Sequence, residues 1–205
     1  MGFFDDVYKT TRWSHAASNV PPMSFAPRTT CLPGRLPWTL VLARTNTICI
    51  ALDSVSCWPE HFSANIVVFS VHQSVDVEKF LPFPGGLSER GPRHDVQGIR
   101  FAMEFSDGRY ATNLMVPRTT GSRPESRSSD FPIFTPWGGT GSGGGGPDVG
   151  RWRYVQRIDL WPLPSPGKMA IILDWQEQAI PETRHEVDGD EIRLASERAS
   201  SIWGD

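Results

Sequence analysis

Short runs of apolar and β-branched residues predict strands from residue 38 onward. The second run places Ile48, Ile50 and Leu52 on one face, because residues two apart point to the same side of a strand. The third run is apolar at its centre, which is typical of a strand buried on both faces. Thr45-Asn46 separates the first two runs and predicts a hairpin turn. The three runs are residues 38–44, 47–55 and 61–72.

The clearest hairpin signal lies at residues 99–116, where apolar and polar residues alternate on both sides of Asp107-Gly108. Both of these residues tolerate positive φ, so the pattern predicts a two-residue type I′ turn. Such a turn puts the apolar residues of the two strands on the same face. The predicted cross-strand pairs are Phe105 with Tyr110, Met103 with Thr112, and Phe101 with Leu114.

The C-terminal part continues the strand pattern and ends in a helix. Runs at 152–162 and 168–175 predict a second hairpin, and 182–187 predicts an edge strand. Asp188 and Glu191 have the spacing of a helix-capping pair. The apolar positions that then repeat at helical intervals are Ile192, Ala195, Ala199 and Ile202.

Together these elements predict an all-β fold, an antiparallel β-sandwich of the jelly-roll or Ig-like type with long Gly/Pro-rich loops and one short C-terminal helix. A β-barrel is the alternative. Prolines before residue 38 predict an irregular N-terminal arm over 1–37. The single sandwich domain spans 38–205 and contains a flexible loop at 117–150, because the glycine tract within it has no side chains to pack.

The second half also carries a more specific pattern, in which a glycine tract precedes several tryptophan-containing segments. The segments are Trp161-Pro162-Leu163-Pro164 with Gly167, Trp175, Ile180-Pro181-Glu182-Thr183 and Ile202-Trp203. With Leu42-Ala43-Arg44-Thr45 and Ala111-Thr112-Asn113-Leu114, this pattern resembles a group of actinobacterial hypothetical proteins without an established activity. The resemblance covers roughly residues 38–203. It implies a bacterial protein with one continuous domain and transfers no catalytic residue.

Charge and composition argue against nucleic acid and against a membrane. Lys and Arg number 20 against 23 Asp and Glu, a net charge of −3, whereas nucleic-acid binders usually carry a basic excess. No window approaches the length of a membrane-spanning apolar run, and the first residues lack a secretory pattern. Cys31, Cys49 and Cys57 form no CxxC pair, which favours reduced thiols. We therefore expect a cytoplasmic protein.

An aromatic segment immediately before the glycines is the leading candidate for binding. Its large apolar side chains would each gain about 1.5–3 kcal/mol from burial against a partner or against their own sheet. Arginines and a tryptophan on the next strand add residue types that are enriched in interfaces. The pattern predicts a noncatalytic module that binds a protein partner or its own copy. The candidate partner-binding residues are Phe131, Phe134, Trp137, Trp161, Arg151 and Arg153.

An enzyme is the alternative, either a hydrolase or a metal-dependent one. His94 and Asp95 have the residue types of a general base and its orienting carboxylate. The acidic residues around 182–191 offer oxygen ligands for a divalent cation. Cys57 and His61 are near each other in sequence, although proximity in sequence does not make a catalytic pair.

Eight tryptophans add a carbohydrate-binding module as a third function, because exposed rings stack on sugars. Strand patterns place Trp38, Trp152 and Trp175 in the core. The tract at 139–144 matches G-x-G-x-x-G, but the strand and helix that this fingerprint requires do not flank it, so no cofactor is expected. The tryptophans in loops or at element ends are Trp13, Trp58, Trp137, Trp161 and Trp203.

Overall fold

The computed structural model describes residues 2–10, 31–71, 98–114, 132–143 and 150–203. The helices are α1 (Phe3–Thr10) and α2 (Gly189–Glu197), and a 3-10 turn spans Gln176–Gln178. The strands are β1 (Cys31–Leu32), β2 (Gly34–Arg44), β3 (Ile48–Cys57), β4 (Phe62–Val71), β5 (Arg100–Glu104), β6 (Tyr110–Thr112), β7 (Ile133–Gly143), β8 (Arg151–Trp161), β9 (Lys168–Trp175), β10 (Ile180–Asp188) and β11 (Ser200–Ser201).

Two antiparallel sheets pack face to face, which confirms the predicted β-sandwich. The five-stranded sheet has the order β2-β3-β4-β8-β7, and the four-stranded sheet has the order β10-β9-β5-β6. A two-stranded sheet joins β1 to β11. The core lies between the two large sheets, where Ile48, Ile50 and Leu52 of β3 share one apolar cluster with Ile171 and Leu173 of β9. Burial of each such side chain stabilises the fold by about 1.5–3 kcal/mol relative to exposure.

The first three predicted strands are confirmed as β2, β3 and β4. The turn between β2 and β3 closes because the Thr45 amide donates to the Ile48 carbonyl at 2.7 Å. Strand β2 begins at Gly34, before the predicted boundary at residue 38. A Cβ at Gly34 would lie 1.7 Å from the carbonyl oxygen of Ala195 in α2, so this close approach requires glycine.

Helix α1 covers the outward face of the four-stranded sheet, and the predicted irregular arm over 1–37 is therefore wrong in part. Phe4 is fully buried there, in an apolar cluster with Ala102, Ala170 and Ile172. Glu182 of β10 accepts hydrogen bonds from the first amides of the helix, at 2.9 Å from Phe3 N. The helix forms because it precedes the prolines and places its apolar residues on one side.

The hairpin at β5–β6 is present, but its predicted turn and register are wrong by one residue. Ser106, Asp107 and Gly108 form a three-residue loop, closed by the Phe105 amide donating to the Arg109 carbonyl at 2.7 Å. Gly108 has φ +82°, the left-handed conformation that this type of loop requires. The observed cross-strand pairs are Ala102 with Thr112, Met103 with Ala111, and Glu104 with Tyr110.

The shift of one residue moves β6 side chains to the other face of the sheet. Met103 and Ala111 face the main core. Leu114 instead joins the cluster beneath α1, and the Tyr110 ring meets Phe3 edge-on with 5.4 Å between centroids. The apolar residues of this hairpin thus pack in two places, some in the core between the sheets and others against α1.

The predicted second hairpin is wrong, because β8 and β9 belong to different sheets. The segment between them crosses from the five-stranded to the four-stranded sheet. Two contacts hold it in place: Ser106 Oγ donates to the Pro166 carbonyl at 2.6 Å, and Gly167 N donates to the Asp190 carboxylate at 3.1 Å. Two strand-like runs separated by a short Pro/Gly-rich segment fit either a hairpin or such a crossing, so the local sequence does not distinguish them.

The flexible loop predicted over 117–150 is interrupted by β7, which the sequence analysis missed. Residues 133–143, including glycines of the tract, pair with β8 along its length. Glycine has low strand propensity, but β8 supplies the backbone partners and Phe134 anchors the strand in the core. Residues 117–131 and 144–149 of the predicted loop lie outside the described residues.

The C-terminal elements largely confirm the prediction. Strand β10 forms an edge of its sheet, and the Asp188 carboxylate caps α2 by accepting from the Asp190 amide at 2.9 Å. Glu191 does not complete the capping pair, since it accepts from Trp38 Nε1 at 2.7 Å. The helix ends at Glu197, short of Ile202, because the chain then pairs with β1. In the described ranges, neither helix has the length and apolarity needed to cross a bilayer.

Candidate binding surface on the five-stranded sheet

The outward faces of the two large sheets differ in their cover. Helix α1 lies on the four-stranded sheet, whereas the outward face of the five-stranded sheet carries exposed side chains, among them Phe69 and Arg153. We call this the outer face. Because directly paired residues of antiparallel strands share a face, the strand register arranges its side chains in rows that run across the sheet.

One row of the outer face is apolar. Val41, Ala51, Val67 and Val155 are successive cross-strand neighbours from β2 to β8. Ala51 and Val67 at its centre are buried, while Val41 on the edge strand is 46% exposed. The centre of this row is therefore covered, and Val41 at the edge is its accessible branched side chain.

The adjacent row combines arginine with an aromatic ring. Arg44, Cys49, Phe69 and Arg153 are cross-strand neighbours, and we call them the arginine row. Phe69 is 45% exposed although it lies in the middle strand of the sheet. The Arg153 guanidinium lies over the Phe69 ring, 6.0 Å from its centroid. This distance is at the limit of a cation–π contact, which holds the two groups together at the surface.

A polar cluster occupies the far end of the outer face. Asp159 is fully buried and accepts a hydrogen bond from Arg157 Nε at 3.1 Å. The Arg157 guanidinium lies 5.6 Å from the Trp58 ring, which stacks on His61 with 4.7 Å between centroids. Burial and, secondarily, the charge of Arg35 lower the pKa of Arg157. These contacts pack Trp58, His61 and Asp159 together at this end of the face, where all three are buried.

The outer face is cationic in a chain that is acidic as a whole. Its strands carry five outward arginines and two outward aspartates, one of them the buried Asp159, whereas the net charge of the chain is −3. Exposed cations and a neighbouring aromatic ring are the features that interface anchors combine. The arginines are Arg35, Arg44, Arg151, Arg153 and Arg157.

The structure brings some of the predicted partner-binding residues to this face and leaves others away from it. Arg151 and Arg153 are exposed there, and Trp161 is half-buried at the end of β8. Phe134 is only 3% exposed and packs on Phe101, which corrects its predicted role to that of a core residue. Trp137 pairs with Arg157 through the backbone of β7. Phe131 lies outside the described residues.

Phe69 and Val41 were not found by sequence reasoning. The pattern around Phe69 predicts a strand buried on both faces, because Ile66-Val67-Val68-Phe69 is an unbroken apolar run. The position of Arg153 beside Phe69 depends on pairing between strands that are far apart in sequence. The sequence feature that could have revealed Phe69 is the alternation within β4. Side chains of a strand alternate between its faces, so Phe69 points outward where Val68 and Ser70 point inward.

The described residues give little support to nucleophilic catalysis. Cys57 is buried, and burial raises its pKa to about 12, so its thiol stays protonated at neutral pH. A reactive cysteine requires the opposite shift. His61 is stacked on Trp58. The candidate pair His94 and Asp95 lies outside the described residues.

The acidic side chains of residues 182–191 make separate contacts instead of forming one cluster. Glu182 binds the amides of α1, Asp188 caps α2, and Glu186 lies 3.5 Å from Lys168 Nζ. His185 Nε2 contacts the Leu42 carbonyl oxygen at 2.7 Å. Within the described ranges, no group of three or more His, Cys, Asp or Glu side chains could hold a metal ion.

The described tryptophans differ in exposure, from the buried Trp58 and Trp175 to Trp203, which is 72% exposed. Trp175 is buried as predicted, whereas Trp152 is 41% exposed and the prediction that it lies in the core is wrong. Trp58 is buried, so its ring is covered rather than offered to a sugar. Residues 139–143 lie in β7 instead of preceding a helix, which removes the context of a dinucleotide fingerprint.

Comparisons of this chain with protein-family models, with curated proteins and with solved structures found no match. Function is therefore inferred from the geometry of this chain alone.

Proposed function

We propose that this protein is a noncatalytic β-sandwich binding module that recognises a protein surface, of a partner or of another copy, through its outer face. The observation that supports this is the half-exposed Phe69 ring with Arg153 over it, on the outward side of the five-stranded sheet. Val41 extends the apolar part of the surface.

The physical basis is the cost of leaving apolar side chains in water and the pairing of aromatic groups with arginine. Exposed apolar area on a rigid sheet gains free energy when a partner covers it, at about 25 cal/mol per Å². Arg and aromatic residues dominate the energetic centres of protein interfaces. A sheet also holds these side chains in fixed positions, which lowers the entropy cost of binding.

We propose the bacterial cytoplasm as the place of action. All three cysteines have free thiols in the structure, which suits a reducing compartment. The resemblance to actinobacterial proteins supports the bacterial part of the proposal.

The test compares proteins retained from a cell extract by the immobilised chain and by its Val41→Ser/Phe69→Ser variant. Leu194→Ser is the matched control, because Leu194 is 56% exposed and belongs to α2 rather than to a strand of the outer face. We expect at least one protein, or the chain itself, to be retained by the wild type and the control and lost from the double variant. The melting temperatures should agree closely, since surface substitutions usually change stability by about 0.5 kcal/mol or less.

Identical retention by wild type and double variant would overturn the proposal. Loss of binding in the Leu194 control as well would do the same, because it would place the contact elsewhere or make it nonspecific.

A further inference from the structure

The side of the molecule opposite the outer face is acidic. This α1 face consists of α1 and the outward side chains of the four-stranded sheet. Its exposed acidic groups include Asp5 and Asp6 on α1 and Glu182 and Glu186 on β10. Acidic residues outnumber basic ones among its described side chains. The acidic set is Asp5, Asp6, Glu104, Asp174, Glu182, Glu186 and Asp188, and the basic set is Arg100, Lys168 and Arg184.

Arg100, Lys168 and Arg184, the cations among the described side chains of the α1 face, are engaged within that face. Arg100 forms a two-pronged ion pair with Asp174, with 2.6 Å between Nε and Oδ1. Arg184 contacts Glu104 at 2.5 Å, and Lys168 lies 3.5 Å from Glu186. The described side chains of the α1 face therefore carry net negative charge, while those of the outer face carry net positive charge.

We infer that copies of this protein associate head to tail, with the outer face of one copy bound to the α1 face of the next. The inference rests on the proposed function, because the same outer face makes the contact. Complementary potentials of opposite sides attract, whereas two outer faces brought together would oppose arginine to arginine. Charge thus favours contact between an outer face and an α1 face over contact between two outer faces.

Each face also offers an apolar group to the contact. Phe3 and Tyr110 form an edge-on pair on the α1 face, and both are half-buried. Phe69 and Val41 provide the exposed apolar groups of the outer face. Because each copy uses the two faces once, the contact does not close on itself in a pair, and longer linear assemblies follow at higher concentration.

Sedimentation velocity of the full chain tests this at about 10 mM and at about 1 M salt, where the Debye length is about 30 Å and about 3 Å. We expect the mean mass at low salt to rise with protein concentration beyond that of a dimer. At high salt it should fall toward the monomer. A monomer at every concentration in low salt would overturn the inference.

Two complementary variants separate the head-to-tail contact from a symmetric one. Arg151→Ser/Arg153→Ser weakens the outer face, and Asp5→Asn/Asp6→Asn weakens the α1 face while keeping an amide oxygen where Asp5 accepts from Gly2 N. Each variant alone should lose most of its association. An equimolar mixture should recover a one-to-one dimer, because each variant retains the face that the other lacks.

Arg193→Ser on α2 is the matched charge control, and it should associate as the wild type does. Failure of the mixture to associate, or undiminished association of the Asp5/Asp6 variant, would overturn the head-to-tail contact. Circular dichroism confirms that each variant is folded before the mixture is interpreted.

The native cysteines provide an independent readout. Cys49 lies in the arginine row, Cys31 lies in β1, and both are partly exposed, whereas Cys57 is buried. Alkylation of Cys49 by a maleimide should slow as protein concentration rises at low salt, and alkylation of Cys31 should not. Equal slowing of both, or of neither, would overturn the contact at the outer face.

Alkylation of Cys49 and retention of foreign proteins together distinguish other occupants of the outer face. Protection of Cys49 by an added oligothymidylate, without protection by the protein itself, would overturn self-association in favour of nucleic acid. A monomer that still retains a foreign protein dependent on Val41 and Phe69 would overturn self-association and leave the proposed binding function in place. A chain that neither associates with itself nor retains a foreign protein would overturn both the head-to-tail association and the proposed binding function.

Discussion

At the scale of single residues, the tip of the β5–β6 hairpin depends on Gly108. Its φ of +82° is strained for residues that carry a Cβ, yet a Cβ built there meets no heavy atom within 4 Å. The cost of substitution therefore comes from the backbone rather than from a clash. The same turn determines which side chains of β6 face α1.

Replacing Gly108 with Val should lower the free energy of unfolding by about 1–3 kcal/mol, because a β-branched residue is forced to positive φ. Urea denaturation measures the change. Gly108→Asn is the control and should cost less, since Asn tolerates this conformation. Equal stability of the Val variant and the wild type would show that the loop is not the one described.

Asp107 at the same tip predicts a dependence of stability on pH. A hydrogen bond from the Arg109 side chain is the main cause that lowers the Asp107 pKa to about 2. Because the folded pKa lies below the unfolded value of about 3.9, the contribution is present above pH 4 and is lost as the pH falls toward 2. The carboxylate is partly exposed, so the contribution is about 0.2–1 kcal/mol.

Urea denaturation of the wild type and Asp107→Asn at several pH values measures this contribution. The difference in unfolding free energy should be constant from pH 7 to pH 5 and should shrink below pH 4. A difference that is independent of pH down to 2 would contradict the ion pair.

At the scale of elements, β7 is the strand whose role is decided by packing rather than by composition. Its glycines offer little side-chain area, and its backbone pairs with β8. Phe134 anchors it, since the ring lies 5.7 Å from that of Phe101 in the opposing sheet. Phe134 thus anchors β7, the edge strand of the five-stranded sheet, in the core.

Replacing Phe134 with Ala should cost about 3–5 kcal/mol, as expected for a large side chain removed from a core. Phe69→Ala is the matched control and should cost far less, because its ring is half-exposed. Urea denaturation of both variants decides between the roles. A small cost at Phe134 combined with lost protein binding would restore the contact role predicted from sequence.

At the scale of the whole molecule, the sandwich has two unlike sides. One sheet is covered by α1 and is acidic on its outside, and the other carries the cationic outer face. The net charge of −3 conceals this separation, because a sum over the chain contains no positions. Any partner that approaches within a Debye length meets the local charge of one side.

The sequence by itself determined the features that depend on neighbouring residues. These are the strand periodicity, the sandwich class, the presence of a hairpin around Asp107-Gly108 and the Asp188 cap of α2. Alternation, turn chemistry and capping act within a few residues, so a single chain displays them.

Only the tertiary structure decided the register of β6, the separation of β8 from β9, the pairing of β7 and the cover provided by α1. Each depends on contacts between residues distant in sequence, and the local pattern is compatible with more than one outcome. The outer face is of this kind, since Phe69 and Arg153 become neighbours only through the pairing of β4 with β8. Long-range pairing creates the surface because a sheet places side chains from distant segments in one row.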